Sequence, residues 1–243
     1  MKIFTYRLVY LPDSTNTSYT KEEDFYLQVL GNKSCFVNSN FKYVVQSIQM
    51  MEASKTDIAT MMSKVPSFPK TSFKSVVYKE GNDVSVYDKQ FSLGMKYKET
   101  SQMKWKLLGE SKKIDNYNCQ KATVSYGGRN WVAWFTNEIP ISDGPHTFHG
   151  LPGLIVQLYD SKSNFNFSLI QVETDKDYLL FYEKGFERYK EVSKKEFFET
   201  RINIKNNYVN NMESRGFTFK TEDKAAIQKK IDSKKDNYIE LIP

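Results

Sequence analysis

A chain of 243 residues, 40% hydrophobic and 26% charged, is long enough to bury a sizeable core and reads as one domain over 1–243 rather than a disordered segment. Lysine and arginine number 35 against 29 acidic residues, a net +6. These bases stand scattered in mixed-sign company, so a solvated surface is expected and no nucleic-acid partner. No apolar run approaches the roughly 18 residues needed to cross a bilayer, so no transmembrane segment is expected.

From the start, Ile3–Leu11 alternates aromatic and polar residues and closes on Pro12-Asp13 as a strand meeting a turn. Lys21–Leu30 repeats the pattern and turns at Gly31-Asn32 into Lys33–Val37, an opening β-meander. Over Phe41–Met62 the period changes: Val44, Val45, Ile48, Met51, Ile58, Met61 and Met62 recur at helical spacing, predicting a helix broken near Ser54–Asp57. Its methionines Met50, Met51, Met61 and Met62 read chiefly as core filler, with a flexible pocket or partner surface as the alternative.

Short strands follow at Phe73–Lys79, Val84–Asp88, Leu93–Lys98, Met103–Leu108, Asn118–Tyr126 and Trp131–Thr136. Gly127-Gly128 supplies the strongest hairpin signal between them. Leu154–Tyr159 and Phe165–Val172 form another hairpin. Ser193 and Glu196 make a capping box that opens a helix over Ser193–Met212. A shorter helix is expected at Thr221–Ser233 with Ala225, Ile227 and Ile231 inward, after which Tyr238–Ile242 packs back. The fold expected is mainly β (α+β): a curved antiparallel sheet or half-open barrel, its concave side covered by the Phe41–Met62 and C-terminal helices. That outline looks like the periplasmic lipoprotein-carrier folds, an analogy of fold alone.

The densest stretch is Trp131–Asp160, strand, stiff loop and strand. Its loop holds Ile139-Pro140, Gly144-Pro145 and the run Gly150-Leu151-Pro152-Gly153-Leu154-Ile155. Pro152 fixes φ, and Gly153 is expected at positive φ as in a type II turn. A loop so stiffened either caps the sheet or presents Trp131, Trp134, Phe148 and Leu151 as an apolar wall, with Arg129 equally the cation for a lipid or peptide carboxylate or a structural arginine stacked on an aromatic ring. The balance of these readings favours capping.

The run GLPGLI, with Tyr117, Cys119, Lys121-Ala122, Gly128-Arg129, Trp131 and Ala133-Trp134 upstream, resembles the GLPGLI family of exported proteins from Bacteroidota-type bacteria. That resemblance implies a periplasmic or outer-envelope location, with the signal peptide absent from this chain; a cytoplasmic member is the lesser alternative. The family has no established activity.

Both histidines, His146 and His149, fall in the loop three residues apart, so a metal held by them with Asp143 or Glu138 is the weaker alternative to packing or surface histidines. Cys35 and Cys119 lie too far apart in sequence for a metal-type pair; whether they form a disulfide is left open, with free buried thiols favoured. No nucleophile elbow, zincin helix or phosphate loop is present, so no cofactor is expected and an enzyme is the weaker hypothesis. The function expected is a non-catalytic envelope binding or accessory protein. Its cavity would accept an apolar small molecule, lipid or peptide, beside an outer-membrane transporter partner. The alternative is a metal-dependent or hydrolytic enzyme built on His146 and His149.

Overall fold

The computed structural model describes residues 1–90, 93–175, 180–182, 185–233 and 237–243. Its first half is a meander of β1 (Lys2–Tyr10), β2 (Lys21–Leu30), β3 (Lys33–Asn38), β4 (Val76–Glu80), β5 (Asp83–Gln90) and β6 (Leu93–Glu99). The second is β7 (Lys106–Ile114), β8 (Tyr117–Tyr126), β9 (Arg129–Thr136), β10 (Leu154–Asp160) and β11 (Phe165–Thr174). The two meanders are seamed where β1 pairs with β11, and the short β12 (Lys190–Glu191) adds a parallel edge beside β6. Among the described residues the result is one open sheet of twelve strands, β12-β6-β5-β4-β3-β2-β1-β11-β10-β9-β8-β7.

Connectivity forces this sheet to curl. β6 and β7 are consecutive in the chain yet lie ten steps apart in the sheet, about 48 Å if flat. The connection Thr100–Trp105 reaches at most about 25 Å. The edges therefore bend toward each other, and the Tyr126 hydroxyl on β8 donates across the gap to Glu99 on β6; in mid-sheet the Tyr6 hydroxyl on β1 reaches past β11 to the Ile155 carbonyl on β10 at 2.6 Å.

Period-two alternation then sorts the residues onto two faces. Phe4, Tyr6, Leu8, Phe25, Leu27, Phe36, Val77, Val86 and Tyr97 point into the concavity with Trp131, Phe135, Phe148 and Leu151 as one core. Cys35, Val37 and Val76, alternating with them, form a smaller core on the convex face. Both cysteines are free and buried, Cys35 on the convex side and Cys119 in the main core.

The helices divide between the faces, which corrects the expectation that both cover the concave side. The predicted Phe41–Met62 helix is α1 (Ser39–Ala53) and α2 (Ile58–Lys64), separated at the expected break, and α1 places Val45 in the convex core. Asn38 and Asp57 cap their first turns by accepting from the Phe41 and Thr60 amides. α3 (Lys194–Asn206) lies on the concave side, with Phe197 and Phe198 in the main core and Ser193 accepting from the Glu196 amide as the capping box requires. The helix expected to run on to Met212 is interrupted at Asn207 (φ −118, ψ 34) before α4 (Tyr208–Glu213). α5 (Thr221–Asp232) buries no residue, and Ala225, expected inward, is exposed. The tail returns as expected, burying Ile239 and Glu240 but leaving Leu241 and Ile242 in solvent. The strand expected at Phe73–Lys79 starts later, at Val76, because residues 71–75 leave the sheet to line the cavity described below.

Candidate functional site

The Trp131–Asp160 stretch is tied to the sheet by a bonded polar network, although Trp134 Nε1 on its first strand is buried without a hydrogen-bond partner. Asp143, 7% exposed, accepts from the Lys79 ammonium, from Ser34 Oγ at 2.5 Å and from the Gly144 amide at 2.7 Å. Lys79 completes its shell with the carbonyls of Gly144 and Phe148 at 3.1 and 3.2 Å. Burial lowers the Lys79 pKa and the Asp143 charge opposes that, so the ammonium belongs to a fully bonded ion pair that ties the loop to β4. Phe148 fills the concavity edge-to-face against Trp131 and Tyr126, centroids 4.8 and 5.3 Å apart. Trp105 Nε1 donates to the His149 carbonyl at 2.8 Å.

The glycines serve this packing differently from the type II turn expected. Positive φ falls on Gly150 (+92), not on Gly153. At Gly153 the constraint is space: a Cβ there would lie 2.0 Å from the Thr136 carbonyl oxygen, where β9 and the entry to β10 approach.

Trp131, Trp134, Phe148 and Leu151 all belong to the main core and are at most 6% exposed, so they present no open wall. Trp131, Phe148 and Leu151 are at most 1% exposed inside the core. Trp134, three residues from Trp131 on a regular strand, faces the opposite side, with Lys112 and Lys121 over its ring at 4.3 and 5.8 Å. Arg129 is spent on structure: it bonds Asp160 at 3.1 Å, the carbonyls of Tyr238 and Ile239, and Asn237, pinning the tail to the sheet.

His146 and His149 also part company. His149 borders a groove with Asp143, Pro140 and Ile141, its Nδ1 2.8 Å from the Thr147 carbonyl. His146, at φ +52, lies 3.7 Å from Glu240 and borders a second space. Desolvation, reinforced by Lys79 and Lys194, lowers its pKa to about 3, so the ring is neutral. Among the described residues, no three His, Cys, Asp or Glu side chains are grouped to hold a metal ion.

That second space is the candidate site, a cavity of about 560 Å³ at the mouth of the half-barrel. β1, β2 and β3 supply Tyr10, Phe25 and Phe36; β6 supplies Tyr97; α3 closes it with Phe197, Phe198 and Arg201. Phe73 stands at its rim, edge-on to Tyr10 and Phe25 at 5.0 and 5.3 Å. The polar pole is Arg201 with Asp88 and Glu240. Arg201 is held with its guanidinium 4.4 and 3.8 Å from the Phe198 and Tyr238 rings, and one amine donates to the Glu240 carbonyl. Its Nε is buried without a hydrogen-bond partner. Asp88 accepts from Ser75, and burial raises its pKa. Glu240 is ion-paired 2.6 Å from Lys194, which also bonds Glu99 at 2.5 Å, and burial raises its pKa too.

Sequence reasoning missed this cavity because its walls come from residues scattered over more than 200 positions. One local signal existed: Phe197, Phe198 and Arg201 share a face of α3, placing a cation on the apolar stripe.

Against known proteins, the profile of a family described as "Protein of unknown function (Porph_ging)" matches residues 128–157, from the β8–β9 turn through most of β10. No curated protein matches the chain by sequence. Among solved structures, PNGF-II in its C2 crystal form is similar with a TM-score of 0.53 at 17% identity, covering 84% of this chain and 32% of that one. The P21 form gives 0.52 at 16%, covering 83% and 33%. This chain thus spans about a third of PNGF-II, and at such identity the likeness is one of fold. In sequence, over the loop that ties the sheet together, the chain is similar to an uncharacterised family.

Proposed function

We propose that the protein is a GLPGLI-type exported component of the cell envelope, periplasmic or outer-envelope associated. Its role is non-catalytic: it holds an apolar or peptide ligand in the mouth of its half-barrel, as an accessory to an outer-membrane transporter. The observation that carries this reading is the cavity of about 560 Å³ with aromatic walls and one polar pole where Arg201 Nε has no partner. That volume falls within the about 300–1,000 Å³ typical of small-ligand sites, and barrel mouths are a common place for them. The Arg201 guanidinium carries five N–H donors and bonds the Glu240 carbonyl through one nitrogen, which leaves donor capacity at the pole for a ligand acceptor. Asp88 across the pole accepts, so a group offering both a carbonyl and an N–H suits it. A peptide unit flanked by an apolar side chain has that chemistry.

The test is isothermal titration calorimetry with N-acetyl-phenylalaninamide and with a long-chain fatty amide. Saturable binding with a negative heat-capacity change is expected, because aromatic surface is buried. Absence of binding by both compounds at several temperatures contradicts the proposal.

A further inference from the structure

α2 contributes no residue to the lining of the mouth cavity. Its residues Ile58, Met61 and Met62, continued by Val65 in the following turn, recur at spacings that place them on one helical stripe. In a helix attached to a globular sheet such a stripe faces the core, yet α2 buries no residue: Ile58 is 78% exposed, Met62 63% and Val65 49%. The stripe extends toward α1, where Phe68 meets Tyr43 edge-on at 6.4 Å and Tyr43 is itself 57% exposed. A seven-residue helix is too short to persist on propensity alone. A contiguous exposed apolar surface of this kind marks an interaction site.

The charges around it select the occupant. Lys55, Lys64 and Lys70 flank the stripe in sequence against only Glu52 and Asp57, and Asp57 is engaged as the N-cap of α2. Apolar side chains rimmed by lysines match the interface of an anionic bilayer, where the side chains enter the acyl boundary and the ammonium groups meet headgroup phosphates. A protein groove would satisfy the apolar stripe but leave the lysine rim unexplained. We infer that α2 and the turn after it, through Ile58, Met62 and Val65 with Lys64 and Lys70, dock this protein on an anionic lipid surface. None of Ile58, Met62, Val65, Lys64 and Lys70 lines the mouth cavity, so this site is distinct from it.

Vesicle flotation tests the inference, using phosphatidylcholine vesicles with and without phosphatidylglycerol. The parent protein is expected to float with the anionic vesicles and to release as salt is raised. Ile58→Asp combined with Met62→Asp is expected to abolish flotation. Lys64→Gln combined with Lys70→Gln should weaken it roughly tenfold or more. Both pairs are exposed, so melting temperatures should match the parent, and a matched melting temperature shows that any loss is one of docking. No flotation of the parent, equal flotation with both vesicle types, or flotation unaffected by either double variant overturns the inference. So does ultracentrifugation showing a dimer that the aspartate variant dissociates, since the stripe would then be covered by a second copy.

Discussion

The Trp131–Asp160 loop and the mouth cavity stand side by side, with His146 bordering both, and they are built on opposite principles. Within the stretch Asp143 and Gly150 are bonded, Lys79 on β4 and Trp105 ahead of β7 reach in to bond it, and the aromatic rings interlock, with Trp134 Nε1 left buried and unbonded among tightly packed side chains. At the cavity pole, Arg201 keeps a buried donor unbonded and Asp88 is buried toward protonation. The contrast teaches that a stretch dense in Gly, Pro and Trp marks where the chain is tied to itself, whereas a place for a ligand shows as charged groups set beside an open space with apolar walls.

The largest effect expected from breaking the loop side is at Lys79. Lys79→Met leaves Asp143 charged and buried with only Ser34 and the Gly144 amide, so a loss of about 3–5 kcal/mol is expected in urea unfolding. Adding Asp143→Leu should recover much of it, because the uncompensated charge goes too. A single variant as stable as the parent would show that the pair ties nothing down.

Next in size is the glycine pair. Gly153→Ala forces a methyl group against the Thr136 carbonyl and should cost about 3 kcal/mol. Gly150→Ala meets only Trp105 at 3.9 Å and costs the left-handed conformation alone, about 1–2 kcal/mol. Reversal of that order in thermal melts would restore the turn explanation for Gly153.

At the boundary between the two regions, His146 gives a pH signature. Its folded pKa of about 3 lies below the ordinary 6.5, so between those values the unfolded chain binds the proton and the folded chain does not. Its contribution to stability is complete above pH 6.5 and falls as pH drops toward 3, by up to about 1.4 kcal/mol per pH unit. His146→Asn, which tolerates the positive φ, should flatten that part of the acid limb. An unchanged slope would mean that the ring is not buried neutral beside Lys79 and Lys194.

Much of the fold was legible because alternation is a local signal: the strand series, the break between α1 and α2, the Ser193 cap and the returning tail can each be read within a dozen residues. Which face a helix covers is not local. Val45 and Phe197 look alike in sequence, yet curling of the sheet puts one outside and the other inside. The same curl made the cavity illegible, since it brings Tyr10, Phe36, Tyr97 and Arg201 together. Trp131 and Trp134 looked like partners on a shared wall, but strand alternation separates residues three apart. That separation was available in the sequence.

The central claim is that ligand binding resides in the mouth cavity rather than on the tryptophan strand. Its most direct test is one titration of N-acetyl-phenylalaninamide against the parent and three variants: Phe73→Ser at the rim, Arg201→Met at the pole and Trp134→Ala on the far face. The account predicts at least a tenfold loss of affinity for the first two and no change for the third. Lost affinity in Trp134→Ala, with Phe73→Ser and Arg201→Met binding like the parent, would contradict it.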